Sequence, residues 1–217
     1  LIFTMMPLTA IPANAAVNLT ALYIIDSQGG TPDPIDINQD TIVDRDGRWR
    51  WDKASSTLTL EGFNGEYIEA NGKLKITGAG ESPSLTVTQT AFTSENPYVS
   101  GIDGRNGLVV SDCKITINFD GTNGLHGSGI VSSEGDFNLS GSASLDIQIN
   151  NGRDDTFGSS RGLETSSSGN IKIKILGTGE HMSGVGCLKA NGTGNIDIMG
   201  PGGEAVDGPL VIGETAG

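Results

Sequence analysis

Arg153, Asp154 and Asp155, with Arg161 a few residues on, form the one local cluster in this sequence where paired carboxylates are flanked by arginines. Two neighbouring carboxylates could hold calcium against an acidic sugar, and a nearby arginine could take the proton alpha to the sugar's carboxylate. The same run, Asn-Gly-Arg-Asp-Asp, is equally the composition of a solvated turn. Tyr98 and Phe157 are aromatic rings of the kind that stack on sugar faces, and His126 and His181 are the two histidines. No Gly-x-Ser-x-Gly motif accompanies the histidines, and two isolated histidines with two distant cysteines do not form a zinc pattern. The candidate ligand-binding set is therefore Tyr98, His126, Arg153, Asp154, Asp155, Phe157, Arg161 and His181, with Asp154 and Asp155 as the candidate calcium ligands and no catalytic residue assigned.

A repeat is what would position these residues. A Gly-aliphatic step occurs at Gly101-Ile102, Gly129-Ile130 and Gly162-Leu163, with echoes at Tyr67-Ile68 and Cys187-Leu188. It is answered by the apolar-x-apolar pairs Leu74/Ile76, Leu108/Val110, Phe137/Leu139, Ile171/Ile173 and Ile196/Ile198. Recurrence of strands without helices signals a solenoid. In the coil opening at Gly101, Ile102 points inward on a first strand, Leu108 and Val110 on a second, and Ile115, Ile117 and Phe119 on a third. The expected fold class is all-β, a right-handed parallel β-helix (solenoid) with a short N-terminal β cap. The segments Thr88 to Ser100, Asp120 to Ser128, Asn150 to Arg161 and Gly177 to Gly184 fall at one phase of the repeat. They are expected to form a continuous loop edge that carries the candidate residues.

Composition agrees: 33 of 217 residues are glycine and 5% are aromatic, which suits a chain that turns every few residues. The expected organisation is a signal-peptide remnant over 1–16, an N-terminal strand and Asp-rich segment over 17–48, and a β-helix over 49–217 that reads as truncated at its C-terminus. The apolar run from Leu1 to Ile11, followed by Ala13-Asn14-Ala15, has the form of an export signal with a small-x-small cleavage site. It is too short to span a bilayer, so no transmembrane segment is expected. The expected localisation is secreted, extracellular or cell wall-associated.

Asp36, Asn38, Asp40 and Asp44 place oxygen side chains in the manner of a calcium loop. Thr41 stands where the sharp-turn glycine belongs and Gly47 where the bidentate glutamate belongs, so an EF-hand is excluded. Trp49 and Trp51 alternate on one face of a strand and are expected to help cover the N-terminal end of the solenoid. Cys113 and Cys187 lie three coils apart, roughly 14 Å at ~4.8 Å per coil. A disulfide needs Cα atoms within about 7 Å, so both read as free core thiols. The net charge of −13 would repel nucleic acid, which is excluded as a partner.

From Trp49, the run Trp-Arg-Trp-Asp-Lys-Ala-Ser-Ser-Thr-Leu-Thr-Leu-Glu-Gly-Phe-Asn-Gly resembles the opening of bacterial surface right-handed β-helix repeat proteins. The following Ile68-Glu-Ala-Asn-Gly-Lys-Leu-Lys-Ile extends the resemblance, which covers about 49–212 and whose relatives include pectin-binding modules and pectate-lyase-like enzymes. It implies a secreted or cell-surface carbohydrate-binding, adhesin-type module of a larger protein, monomeric in itself, whose partner is an extracellular polysaccharide that is acidic where calcium takes part. It requires no cofactor and carries over no catalytic residue. The alternatives are a structural spacer without ligand, or a polysaccharide lyase or glycoside hydrolase acting on acidic glycans.

Overall fold

The computed structural model describes residues 19–26, 33–80, 84–89, 98–104, 106–120, 126–132, 136–150, 157–159, 163–176, 188–199 and 210–212. Among these there is no helix; the chain is all-β and most of its strand pairs are parallel. In chain order the strands are β1 (Ala21–Asp26), β2 (Asp33–Ile35), β3 (Thr41–Val43), β4 (Trp49–Asp52), β5 (Thr57–Leu60), β6 (Phe63–Asn71), β7 (Leu74–Gly78) and β8 (Ser84–Gln89). They continue as β9 (Tyr98–Gly104), β10 (Leu108–Ser111), β11 (Lys114–Asp120), β12 (His126–Ser132), β13 (Phe137–Ser140) and β14 (Ser144–Asn150). The remainder are β15 (Phe157–Ser159), β16 (Leu163–Thr165), β17 (Ile171–Leu176), β18 (Leu188–Ala190), β19 (Ile196–Met199) and β20 (Leu210–Ile212).

These strands stack in three columns. The first holds the end of β6, then β9, β12 and β15; the second holds β5, β7, β10, β13, β16, β18 and β20; the third holds the start of β6, then β8, β11, β14, β17 and β19. Because β6 pairs with β8 through Phe63–Gly65 and with β9 through Ile68–Ala70, the first and third columns merge into one sheet. From β9 to β17 the chain visits first, second and third column in fixed order, and each visit lies parallel to the one before. Parallel neighbours cannot be joined by a tight hairpin, and here the connection between two of them is the rest of a level rather than a helix.

Alternation explains which side of each strand faces the interior. Leu74, Leu108, Phe137, Leu163 and Leu188 share one register row, and Leu58, Ile76, Val110 and Leu139 share the next; all are at most 3% exposed. In the third column Leu85, Ile115, Leu145 and Ile171 form a row beside Ile117, Ile147 and Ile173, and in the first Ile68 stacks on Ile102. These residues belong to one continuous core. Burying each aliphatic side chain stabilises the fold by about 1.5–3 kcal/mol, and β-branched residues suit the stiff pleated backbone.

Two expectations about register are corrected. Their Gly-aliphatic or Cys-aliphatic step places Leu163 and Leu188 on first strands with Ile102, yet they pair with Phe137 and with one another in the second column. Ile171/Ile173 and Ile196/Ile198 accordingly lie in the third column, below Leu145/Ile147. Gly101 and Gly129 lie inside β9 and β12, whereas Gly107 directly precedes β10, so a Gly-aliphatic step also leads into second-column strands and does not mark one column. The segments expected as loops are also shorter. β8 reaches Gln89, β9 begins at Tyr98, β11 reaches Asp120, β12 begins at His126 and β15 occupies Phe157–Ser159.

Antiparallel strands finish the first level. β1 pairs with β2 and with β6, and β3–β4 pairs onto β5. Trp51 lies opposite Leu58 and so extends the row Leu58–Ile76–Val110; it is 1% exposed, and its Nε1 donates to the Ile37 carbonyl at 3.4 Å. Trp49 packs half-buried against the same core. The Asp-rich segment is built into turns rather than gathered round a common point. Asp36 accepts from the Asn38 N–H at 3.1 Å and from Gln39 Nε2 at 3.3 Å. Asp44 accepts from Arg48 Nε at 2.9 Å while Gly47, at φ 70°, closes the β3–β4 hairpin in a left-handed conformation that favours glycine. The expected signal segment over 1–16 lies outside the described residues.

Candidate functional site

The first column is where residues with binding chemistry come together. Tyr98 opens β9 and His126 opens β12, and the two are register partners on adjacent strands. Farther along the same strands Glu69 of β6 is the partner of Asp103 of β9. Tyr23 of β1 stands opposite Glu69 on its other side, so the row reads Tyr23–Glu69–Asp103–Val131–Gly158. Adjacent strands in a sheet are about 4.8 Å apart, and the five residues from Tyr98 to Asp103 extend roughly 16 Å.

Local sequence explains the acidic pair. Glu69 and Asp103 each follow the inward isoleucine of a step, Ile68 or Ile102, both fully buried, so strand alternation sends the next residue to the opposite face. Both carboxylate residues are half-buried. The Tyr67 hydroxyl donates to Glu69 Oε2 at 3.0 Å, and Oδ1 of Asp103 is shielded from solvent. Two carboxylates held side by side and partly dehydrated can accept hydrogen bonds from vicinal hydroxyls or share a cation. Among the described residues no three His, Cys, Asp or Glu side chains converge as metal ligands.

The sequence singled out Tyr98 and His126, and the register brings them together, on strands instead of in loops. Phe157 opens β15 and takes the register position of Ile130, itself the partner of the buried Ile102. Arg153, Asp154, Asp155, Arg161 and His181 lie outside the described residues, as does Cys187. Sequence reading missed Glu69 and Asp103 because they are 34 residues apart and neither sits in a local cluster. The signal was present in the repeat: aligning Tyr67-Ile68-Glu69 with Gly101-Ile102-Asp103 places the two acids side by side.

Ionisable groups elsewhere are explained by local structure. Asp36 is held below its ordinary carboxyl range by the Asn38 backbone N–H and by Gln39. Asp52 is lowered in the same sense by the Ser55 backbone N–H, 2.9 Å away, and by the Ser55 hydroxyl. Cys113 is 1% exposed, and burial pushes its thiol up to about 12. Arg48 bonds Asp44 and lies with its guanidinium carbon 6.0 Å from the centre of the Phe63 ring.

Comparison of the chain with protein-family models, with curated proteins and with solved structures finds no match. No helix among the described residues is long and apolar enough to cross a membrane.

Proposed function

We propose that this chain is a right-handed parallel β-helix that serves as an exported, cell-surface carbohydrate-binding module. The three columns are read as the faces of a coil, and the first column as the face that takes the ligand. The observation that carries the reading is the side-by-side placement of Glu69 and Asp103 on the face of that column opposite the buried Ile68 and Ile102. A polysaccharide running across the strands would meet a new level about every 4.8 Å, close to the length of one sugar residue. The carboxylates accept from hydroxyls, and calcium held by Asp154 and Asp155 would bridge to an acidic sugar.

The test is retention on a glycan array, run with calcium and again with chelator. The expected result is binding of an acidic polysaccharide, weakened about tenfold or more by Glu69→Gln with Asp103→Asn. A protein that circular dichroism shows to be folded β structure, yet silent on every glycan, would instead be a structural spacer. Turnover of the bound polysaccharide would move the assignment to a lyase or hydrolase.

A further inference from the structure

The outer face of the second column carries a chemistry unlike that of the acidic chain as a whole. Strand alternation turns Leu58, Ile76, Val110 and Leu139 inward, so the residue after each of them points out. Those residues are Thr59, Thr77, Ser111 and Ser140, hydroxyl side chains in one register row across β5, β7, β10 and β13, each half-buried. Arg50 of β4 is the register partner of Thr59 and ends the row. Lys75 stands beside the row on β7, two residues before Thr77, and both cations are exposed. From β4 to β13 the row extends roughly 19 Å at ~4.8 Å per strand.

The fold leaves these groups for another partner. Among the described residues no hydrogen bond engages the four side-chain hydroxyls, and neither Arg50 nor Lys75 forms an ion pair. The carboxylates around the face are committed elsewhere. Asp52 accepts from the Ser55 backbone N–H at 2.9 Å and from the Ser55 hydroxyl at 3.0 Å. Asp112 accepts from the Ser142 N–H at 2.9 Å, and Glu164 pairs with Lys189 at 2.7 Å. In a chain of net charge −13 this strip therefore offers two cations and a line of hydroxyls, on side chains short enough to leave the row flat. Further strands would add at the edges of such a sheet and not over its face.

We infer that this strip is a docking surface for a linear polysaccharide bearing carboxylates, bound without calcium. The polymer runs across the strands, so that successive sugars meet the hydroxyls of Thr59, Thr77, Ser111 and Ser140. Each hydroxyl can donate to a ring or carboxylate oxygen and accept from a sugar hydroxyl. The Arg50 guanidinium takes one carboxylate bidentately, and Lys75 takes another as a point charge. The inference rests on the carbohydrate-binding reading and adds a second surface to it. The first column presents carboxylates and needs calcium as a bridge to an acidic sugar, whereas this strip presents cations.

Retention of the full chain on immobilised polygalacturonate in the presence of chelator tests this, with the fully methyl-esterified polymer as the uncharged control. The free acid is expected to hold the chain about tenfold or more tightly than the ester, because hydrogen bonds to a charged group are the stronger ones. Arg50→Gln with Lys75→Gln should weaken retention by about tenfold or more, and Ser111→Asp should do so from the centre of the row. Lys172→Gln with Lys174→Gln removes the same charge from the third column and should leave retention nearly unchanged. Circular dichroism checks that each variant is folded. Absence of retention in chelator, or equal losses from the two cation pairs, would overturn the assignment. Retention lost with chelator and with Glu69→Gln plus Asp103→Asn, but kept by Arg50→Gln plus Lys75→Gln, would overturn it too and leave the first-column reading standing. Retention in chelator that only the Arg50 and Lys75 changes remove would uphold the strip and overturn the first-column site.

Discussion

At the scale of single residues, the tightest constraint lies where the second column turns into the third. The Ser167 hydroxyl donates to the Ala143 carbonyl at 2.5 Å and accepts from the Gly169 N–H at 2.9 Å, so this buried polar group is fully used by the backbone around it. A Cβ built on Gly169, Gly192 or Gly194 would come within 3.0 Å of backbone in the preceding turn. Backbone cannot swing aside as a side chain can. Gly194→Ala is therefore expected to cost about 1–3 kcal/mol as an overpacked site, only partly offset by the helpful loss of unfolded-state freedom. Gly62→Ala is the control, because Gly62 has φ 64° with no atom within 4 Å of the added carbon, leaving only a conformational cost of about 1 kcal/mol. Urea unfolding should rank Gly194→Ala as the more damaging. Cys113 gives a second residue-scale expectation. In a Cys187→Ser background its thiol should react with iodoacetamide roughly a hundredfold or more slowly than a free thiol, at a rate set by opening of the fold. Its folded form keeps the proton up to about 12 whereas an unfolded thiol releases it near 9.0, so stability falls as pH rises between those values.

At the scale of elements, the β3–β4 hairpin and the turns around it close the first level. Trp51 is the largest side chain committed there, and Trp51→Ala should cost about 3–5 kcal/mol, read as a lowered urea midpoint. The same turns give the cap its pH dependence. Asp36 and Asp52 have folded pKa values below the ordinary 3.8, so the folded state favours their ionised forms. Their stabilisation is complete above about 3.8 and is lost as pH falls from there through the lowered values. Asp36→Asn with Asp52→Asn keeps an oxygen acceptor at each turn but removes the titration. Tryptophan fluorescence should then show a shallower loss of structure below pH 3.8 than in the parent chain. These antiparallel strands were partly legible in the sequence, since Trp49 and Trp51 alternate and an N-terminal strand is expected within 17–48. That β1 would run antiparallel along β6 was not legible. That pairing depends on long-range register, which no local pattern encodes.

At the scale of the whole molecule, the aliphatic rows were legible because a buried strand face must repeat every second residue, and Leu108/Val110 or Ile115/Ile117 do so visibly. The later levels are not legible because Phe157 of β15 takes the register position of Ile130, so no Gly-Ile or Tyr-Ile step marks that first-column strand. The Glu69–Asp103 pair stayed hidden for a related reason: stacking joins residues a full level apart, and only a correct register reveals them. A stack of this kind also makes a quantitative demand on where stability resides. Each level contacts chiefly its neighbours, so an inward residue packed on both sides is held more tightly than one that stays partly exposed. Ile147 is fully buried between Ile117 and Ile173, while Ile196 is 37% exposed and, among the described residues, has its row partner in Ile171. Ile147→Ala should cost about 2–5 kcal/mol, since it empties a site walled by packed neighbours that cannot collapse into it. Ile196→Ala should cost under about 1 kcal/mol, because much of the removed surface was already in water. Urea denaturation followed by circular dichroism measures both. Equal losses at the two positions would mean that Ile196 is covered in the folded protein.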